Sequence, residues 1–170
     1  TCRVSGRTIG DELTAAGRTW AAYAEGYPSS PRFAKRHVPF LYFARDRAHV
    51  RPLSALDPKR LPAFAFVAPD LCHDMHDCTV ATGDRWLATF VRPLLRVPRT
   101  AVLVVFDEGT TARGGGGHVA AIVAGTAVRG HLAYTARAGH YTLLRTIEDA
   151  LGVPPLGESR RARPLTGIWR

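Results

Sequence analysis

Apolar positions along the chain gather into separate stretches, divided by polar sequence rich in Gly, Pro and Ser. Thr8 opens the first stretch. Its hydroxyl can cap a helix start, and Asp11 three residues on is close to a capping box. Leu13, Ala16, Trp20 and Tyr23 follow at mostly helical spacings and predict a helix over that span. Residues 26–31 are a Ser- and Pro-rich loop. Pro39-Phe40-Leu41-Tyr42-Phe43 is a short apolar stretch behind His37, and residues 45–60 are polar and turn-rich surface. Ala63-Phe64-Ala65-Phe66-Val67 reads as a buried strand, ended by Ala68-Pro69-Asp70.

The second half alternates in the same way. Trp86, Leu87, Phe90, Val91, Leu94 and Leu95 recur at i, i+3, i+4 and predict a helix over 80–95, with Pro98 beyond its end. Residues 100–106 are apolar throughout, the pattern of a central parallel strand covered on both faces. His118 opens another apolar strand over 119–123. A last helix runs over about 142–151, with Gly152 as its stop and Pro154-Pro155 after it. Residues 158–170 form a basic tail, expected to be frayed apart from Ile168 and Trp169. Strand, helix, strand, strand, helix in this order predicts an α/β layered domain. There are no internal repeats and no second domain.

Composition narrows the class. Hydrophobic residues are 46% and charged residues 22%, which excludes a disordered chain. The longest apolar run, 100–106, is too short to cross a bilayer. The start, Thr1-Cys2-Arg3-Val4, has neither an initiator Met nor the apolar core of a signal peptide, so a mature, trimmed or fragmentary chain is expected. Lys and Arg total 23 against 14 Asp and Glu, a net +9, nearly all of it Arg. Such an excess draws anionic partners in general, phosphate esters included. No reading helix or aromatic-basic stacking pattern points to nucleic acid. The three cysteines, Cys2, Cys72 and Cys78, do not have zinc-site spacing. Cys72 and Cys78 can close a short disulfide loop in an oxidising compartment, or remain buried thiols.

Candidate chemistry falls after the predicted strands, where parallel α/β sheets carry their sites. Asp107 and Glu108, followed by Gly109, end the 100–106 strand as two adjacent oxygen ligands suited to a divalent cation. An ordinary solvated turn is the plainer alternative. The loop 72–78 brings His73, Asp74, His76 and Asp77 into seven residues. Histidines there can donate to a phosphate or protonate a leaving oxygen. The plainer reading makes the aspartates caps of the next helix, and it is preferred for His73 and Asp77 but not for His76. His37, His118 and His140 each stand beside an apolar segment, a setting in which a structural role is the commoner one. Gly114 to Gly117 has neither the P-loop Lys-Ser/Thr nor dinucleotide spacing. No G-x-S-x-G elbow occurs.

Several stretches in order resemble one family. They include Thr8-Ile9-Gly10-Asp11-Glu12-Leu13, Gly17-Arg18-Thr19-Trp20, Ala24-Glu25-Gly26, Arg36-His37-Val38-Pro39-Phe40 and Pro69-Asp70-Leu71-Cys72-His73-Asp74-Met75-His76-Asp77. Thr82-Gly83-Asp84-Arg85-Trp86-Leu87, Phe106-Asp107-Glu108-Gly109, Gly117-His118-Val119 and His140-Tyr141-Thr142-Leu143-Leu144 continue the series. Together they resemble the bacterial phosphoesterase family of secreted acid phosphatases and phospholipases C. The resemblance implies a three-layer α/β/α, alkaline-phosphatase-like fold with a mostly parallel sheet, N-terminally incomplete here. Residues 1–157 would be the C-terminal part of the phosphoesterase domain and 158–170 its basic tail. It implies metal-dependent phosphomonoester hydrolysis by a secreted enzyme, with phospholipase C-type phosphodiester hydrolysis as the alternative, on small-molecule or lipid phosphate esters, with a membrane surface as one place to meet substrate and no specific nucleic-acid partner. The rival from another class is a non-catalytic basic module that binds an acidic surface or nucleic acid, which gives no reason for Asp107-Glu108 at a strand end. Asp107 and Glu108 match the late acidic pair that holds a divalent metal ion. His76 and His37 match catalytic histidines of the phosphate site, with His76 the better placed for leaving-group protonation. His140 and His118 fall at substrate-binding positions. The family's early Glu-Asn metal ligands and its Ser or Thr nucleophile have no counterpart in these 170 residues, so this chain alone is expected to be inactive or very weak. His37-Val38-Pro39 also departs from the family's frequent His-Asn-Pro.

Overall fold

The computed structural model describes residues 4–109 and 116–170. Cys2, Gly114 and Gly115 lie outside them. Thr8 caps helix α1 (Ile9–Ala15): its side chain accepts from the Asp11 backbone, and the Asp11 carboxylate accepts from the Thr8 N–H. The helix is shorter than the spacing predicts. Gly17 takes φ of +66° and turns the chain, and Trp20–Ala24 forms strand β1, buried at all five positions. A strand buried on both faces has no polar alternation, so its Trp20 and Tyr23 mimic a helical face.

Strand β2 (Val50–Pro52) and strand β3 (Phe64–Ala68) flank β1, both parallel to it, in the order β2-β1-β3. Ala21, Ala22 and Ala24 keep β1 slim, while Ile9, Leu13, Val38, Phe40 and Leu41 fill the space around it. Trp20 bridges helix and sheet. Its indole N–H donates to Thr14 Oγ1 at 2.9 Å, its ring stacks on His49 at 4.1 Å, and Phe40 tilts against it at 5.1 Å. Tight 3-10 turns over Lys35–His37 and Pro39–Tyr42 carry the chain from β1 toward β2.

Helix α2 (Val80–Leu94) follows the 72–78 loop. Strand β4 (Val102–Val105) then pairs antiparallel with β5 (Ala121–Ala124) in a separate two-stranded sheet. The apolar run at 100–106 therefore does not take a central place in the parallel sheet among the described residues. Its side chains are half-buried and Val105 is exposed. Continuous apolarity predicts burial, but it does not choose a neighbour or a direction.

Helix α3 (His140–Leu151) ends on Gly152 in the left-handed region, φ +67°. Leu144, Ile147 and Leu151 pack on the β1 core. Instead of fraying at Glu158, the C-terminal segment docks on α3. Ser159 is fully buried and its hydroxyl donates to Glu148 Oε2 at 2.6 Å, while Leu156 N–H donates to Glu148 Oε1 at 2.9 Å. Further on, Ile168 is buried and Trp169 bridges to Val128. A buried carboxylate needs such donors, and the basic composition of the segment hides that demand. The described fold is mixed α/β, with a parallel three-stranded sheet and three helices. No helix among the described residues is long and apolar enough to cross a membrane.

Candidate functional site

The carboxyl ends of β1 and β3 place Glu25 and Asp70 side by side. Asp70 is buried, and its Oδ1 accepts from the backbone N–H groups of Cys72 (2.9 Å) and His73 (3.0 Å), which starts the loop as a tight turn. Glu25 Oε2 accepts from the Asp70 N–H at 3.0 Å and from His73 Nδ1 at 2.9 Å. The His73 ring stacks on Trp86 of α2, 5.3 Å between centroids. His73 is thus held at Nδ1 and over one ring face. Oxygen and nitrogen atoms of Glu25, Asp70 and His73 lie within 4.8 Å of one another, a set that can take a cation. Glu25 carries no signal in a helical reading of 20–23. It stands just past a buried strand and before Gly26, so the strand-end rule that marks Asp107 would have marked it had β1 been read as a strand.

A disulfide between Cys72 and Cys78 closes the loop, with Cα atoms 4.7 Å apart. Met75 sits at its tip with φ of +71°, an uncommon conformation for a residue with a side chain. That side chain reaches back over Gly83. A Cβ at Gly83 would lie 2.5 Å from Met75 Cγ and 2.7 Å from the His73 carbonyl oxygen, so α2 can approach this closely only with glycine there.

The closed loop meets the 3-10 turn of Lys35–His37. His37 Nδ1 lies 2.9 Å from Asp74 Oδ2, and His76 Nδ1 lies 2.6 Å from Asp77 Oδ1. Neither aspartate caps α2: Thr79 occupies the N-cap, and its hydroxyl meets the Thr82 hydroxyl at 3.1 Å rather than a backbone N–H of the helix. Both carboxylates instead orient histidines. The His37 and His76 rings come within 6.1 Å of each other across 39 residues of sequence, and Arg36 Nη2 lies 3.4 Å from His76 Nε2. His37 is half-exposed and His76 is exposed. Two imidazoles fixed by carboxylates beside a guanidinium can bind an oxyanion and move a proton.

A second group gathers at the end of β4. Asp107 and Glu108 are exposed, and the Glu108 N–H donates to Asp107 Oδ1 at 3.0 Å. Gly109 closes the turn by donating to the Gly116 carbonyl at 2.6 Å, with the His118 carbonyl close by. His140, the first residue of α3, donates from Nε2 to the Phe106 carbonyl at 2.9 Å. That brings His140 and the backbone of His118 to the acidic pair. No hydrogen bond or ion pair among the described residues joins this group to the His37–His76 pair.

The sequence model of the Phosphoesterase family matches residues 2–154. A phosphatidylinositol-3-phosphatase of Mycobacterium tuberculosis (strain ATCC 25618 / H37Rv) is 31% identical over 189 residues, covering 99% of this chain and 62% of that protein. An acid phosphatase of Aspergillus fumigatus is 24% identical over 186 residues, covering 88% of this chain and 40% of its own length. A probable acid phosphatase of Kluyveromyces lactis is 26% identical over 180 residues, covering 88% and 42%. The chain therefore spans between two fifths and about three fifths of the length of these relatives. No solved structure gives a significant match.

Proposed function

From a chain that belongs to the Phosphoesterase family, we propose metal-dependent hydrolysis of a phosphate monoester, to which this chain contributes the later half of the site. The observation that carries the reading is the His37–His76 pair, each ring oriented by a carboxylate. Carboxylates only accept, so Asp74 and Asp77 hold protons on the two Nδ1 atoms and turn the Nε2 atoms away from the loop, that of His76 toward Arg36. In the proposed reaction His76 Nε2, once protonated, gives its proton to the departing ester oxygen. Asp77 balances the positive charge of the ring before the transfer, and the ring is neutral after it. His37 holds a phosphoryl oxygen, and His140 and His118 flank the substrate on the acidic side. Relatives named as phosphatases support a small-molecule phosphate ester as substrate, and the first of them makes a lipid phosphate a reasonable variant.

Asp107 and Glu108 would hold the divalent metal ion. Their fit rests on the donor set: two adjacent, exposed carboxylates at a strand end, all oxygen, as hard cations prefer. When bound, such an ion neutralises charge developing on the phosphoryl group. We propose further that the sheet and helices belong to a three-layer, alkaline-phosphatase-like arrangement and that the protein acts outside the cell, a reading the Cys72–Cys78 disulfide supports. The nucleophile and the early metal ligands are assigned to sequence beyond the matched stretches, so residues 1–157 form only part of the catalytic domain.

The test compares this chain with a version extended to the length of its relatives, on p-nitrophenyl phosphate and bis-p-nitrophenyl phosphate. The extended protein should prefer the monoester and lose activity to EDTA. His76→Asn should lower kcat by roughly two to four orders of magnitude. Asp107→Ala should lose divalent-cation binding by calorimetry together with activity. Fast turnover by the 170 residues alone, or full activity in His76→Asn, would overturn the reading.

A further inference from the structure

Arg36 stands next to His37 in the 3-10 turn and faces His76 from the other side of the loop junction. Asp74 and Asp77, the carboxylates of the facing loop, are both taken by histidines, and no ion pair of Arg36 occurs among the described residues. Its partner is an imidazole nitrogen at 3.4 Å. A guanidinium only donates, so His76 Nε2 is the accepting nitrogen. That agrees with the proton placed on Nδ1 by Asp77. Lys35 is committed elsewhere, its ammonium 5.3 Å over the Tyr42 ring. The turn itself is rigid. The His37 and Val38 N–H groups close it on Ala34 and Lys35, and Val38 is anchored in the core at 1% exposure.

A planar guanidinium fork beside two Nε2 atoms that donate once protonated, with Asp74 and Asp77 engaged on the Nδ1 sides, makes a receptor for a compact oxyanion. We propose that Arg36 is a substrate-binding residue that grips a phosphoryl group with its guanidinium fork, and that its contact with His76 is the resting form of that grip. Binding of the phosphoryl group moves Arg36 off His76 Nε2 and frees that nitrogen to take a proton from solvent, which it then delivers to the leaving oxygen. The inference rests on the phosphoester reading of the same site. It goes beyond it by naming the residue that supplies the fixed positive charge. Free phosphate and the phosphoryl end of a monoester share this chemistry, so both serve as probes.

The experiment titrates inorganic phosphate, and separately phenyl phosphate, into the 170-residue chain while imidazole 15N resonances are followed by NMR. Saturable shifts are expected at His37 and His76 Nε2. Arg36→Gln should weaken binding of both probes roughly ten- to hundred-fold. Arg36→Lys should recover only part of that loss, because an ammonium cannot make the forked contact. Arg92→Gln, in the last turn of α2, removes the same charge and should bind as the parent does. An unshifted His37 Nδ1 resonance in Arg36→Gln shows that the His37–Asp74 bond and the local fold survive. Equal affinity in Arg36→Gln, equal weakening in Arg92→Gln, or no shift at His37 and His76 would overturn the inference. Arg36-dependent phosphate binding without hydrolysis by the extended protein would sink the catalytic reading alone. Hydrolysis with KM unchanged in Arg36→Gln would sink this one alone.

Discussion

The disulfide gives the most direct energetic test, because it ties the seven residues that carry His73, Asp74, His76 and Asp77. Cys72 and Cys78 are six residues apart in sequence. For a loop of that size, the chain-entropy description of a cross-link gives a stabilisation of about 2.2 kcal/mol at 25 °C. In a domain of this size that corresponds to roughly 4–9 °C in Tm. The perturbation is the pair Cys72→Ala and Cys78→Ala, made together so that neither thiol can mispair with Cys2. Urea unfolding followed by fluorescence of Trp20 and Trp86 reads the change in midpoint. Since Cys72 is 7% exposed, the alanine pair also removes packed sulfur. Wild-type protein unfolded under reducing conditions separates the two effects, because it loses the cross-link and keeps the atoms. Both samples should lose about 2 kcal/mol, the alanine pair slightly more. A loss below about 0.5 kcal/mol in both would mean that the hydrogen bonds of Asp70, Glu25 and Asp74 already fix the loop. The cross-link would then add nothing to those bonds in fixing the loop that carries His76.

Asp46 is buried, and its Oδ2 has no hydrogen-bond partner. Burial pushes its carboxyl above the ordinary range; the Thr8 hydroxyl pulls it down, the Asp11 carboxylate pushes it up again, and Arg45 and His49 pull back. A raised value means that Asp46 favours folding while protonated, and that this contribution is lost as pH rises through the folded-state value. Asp46→Asn should therefore gain stability at pH 7, on the order of 1 kcal/mol or less after solvent screening, and the gain should vanish near pH 3. Urea midpoints at pH 3, 5 and 7 measure this, and a gain independent of pH would contradict it. Gly10 lies under the Trp20 indole, where a Cβ would overlap Cζ2 and come within 2.6 Å of Cη2 and 2.9 Å of Cε2. Gly10→Ala should cost about 1–3 kcal/mol by thermal unfolding. An increase of about 1 kcal/mol, the gain an exposed helix would show, would place the indole elsewhere.

The candidate groups were read from the ends of apolar runs: Asp107-Glu108 after 100–106, and the His- and Asp-rich loop after 63–67. The Thr8–Asp11 cap, read from its spacing, is present in the structure. Glu25 was missed for a matching reason: β1 is buried on both faces, its Trp20 and Tyr23 imitate a helix, and a strand that is not seen has no visible end. The aspartates of the loop were open to two readings in sequence. Capping needs only local geometry, whereas orienting His37 needs a partner 37 residues away.

Local chemistry thus fixed the elements that depend on near neighbours: the capped start of α1, the amphipathic α2, the Gly152 stop of α3 and the acidic pair beyond β4. Properties set by distant contacts were decided by the tertiary structure alone. These are the place of β1 between β2 and β3, the antiparallel pairing of β4 with β5, and the docking of the C-terminal segment on Glu148. The meeting of Arg36, His37 and His76 belongs with them. The physical reason is the same for each. A residue's pattern records whether it is buried, and burial can be satisfied by many partners. Hydrogen bonds and packing at long sequence separation choose among them.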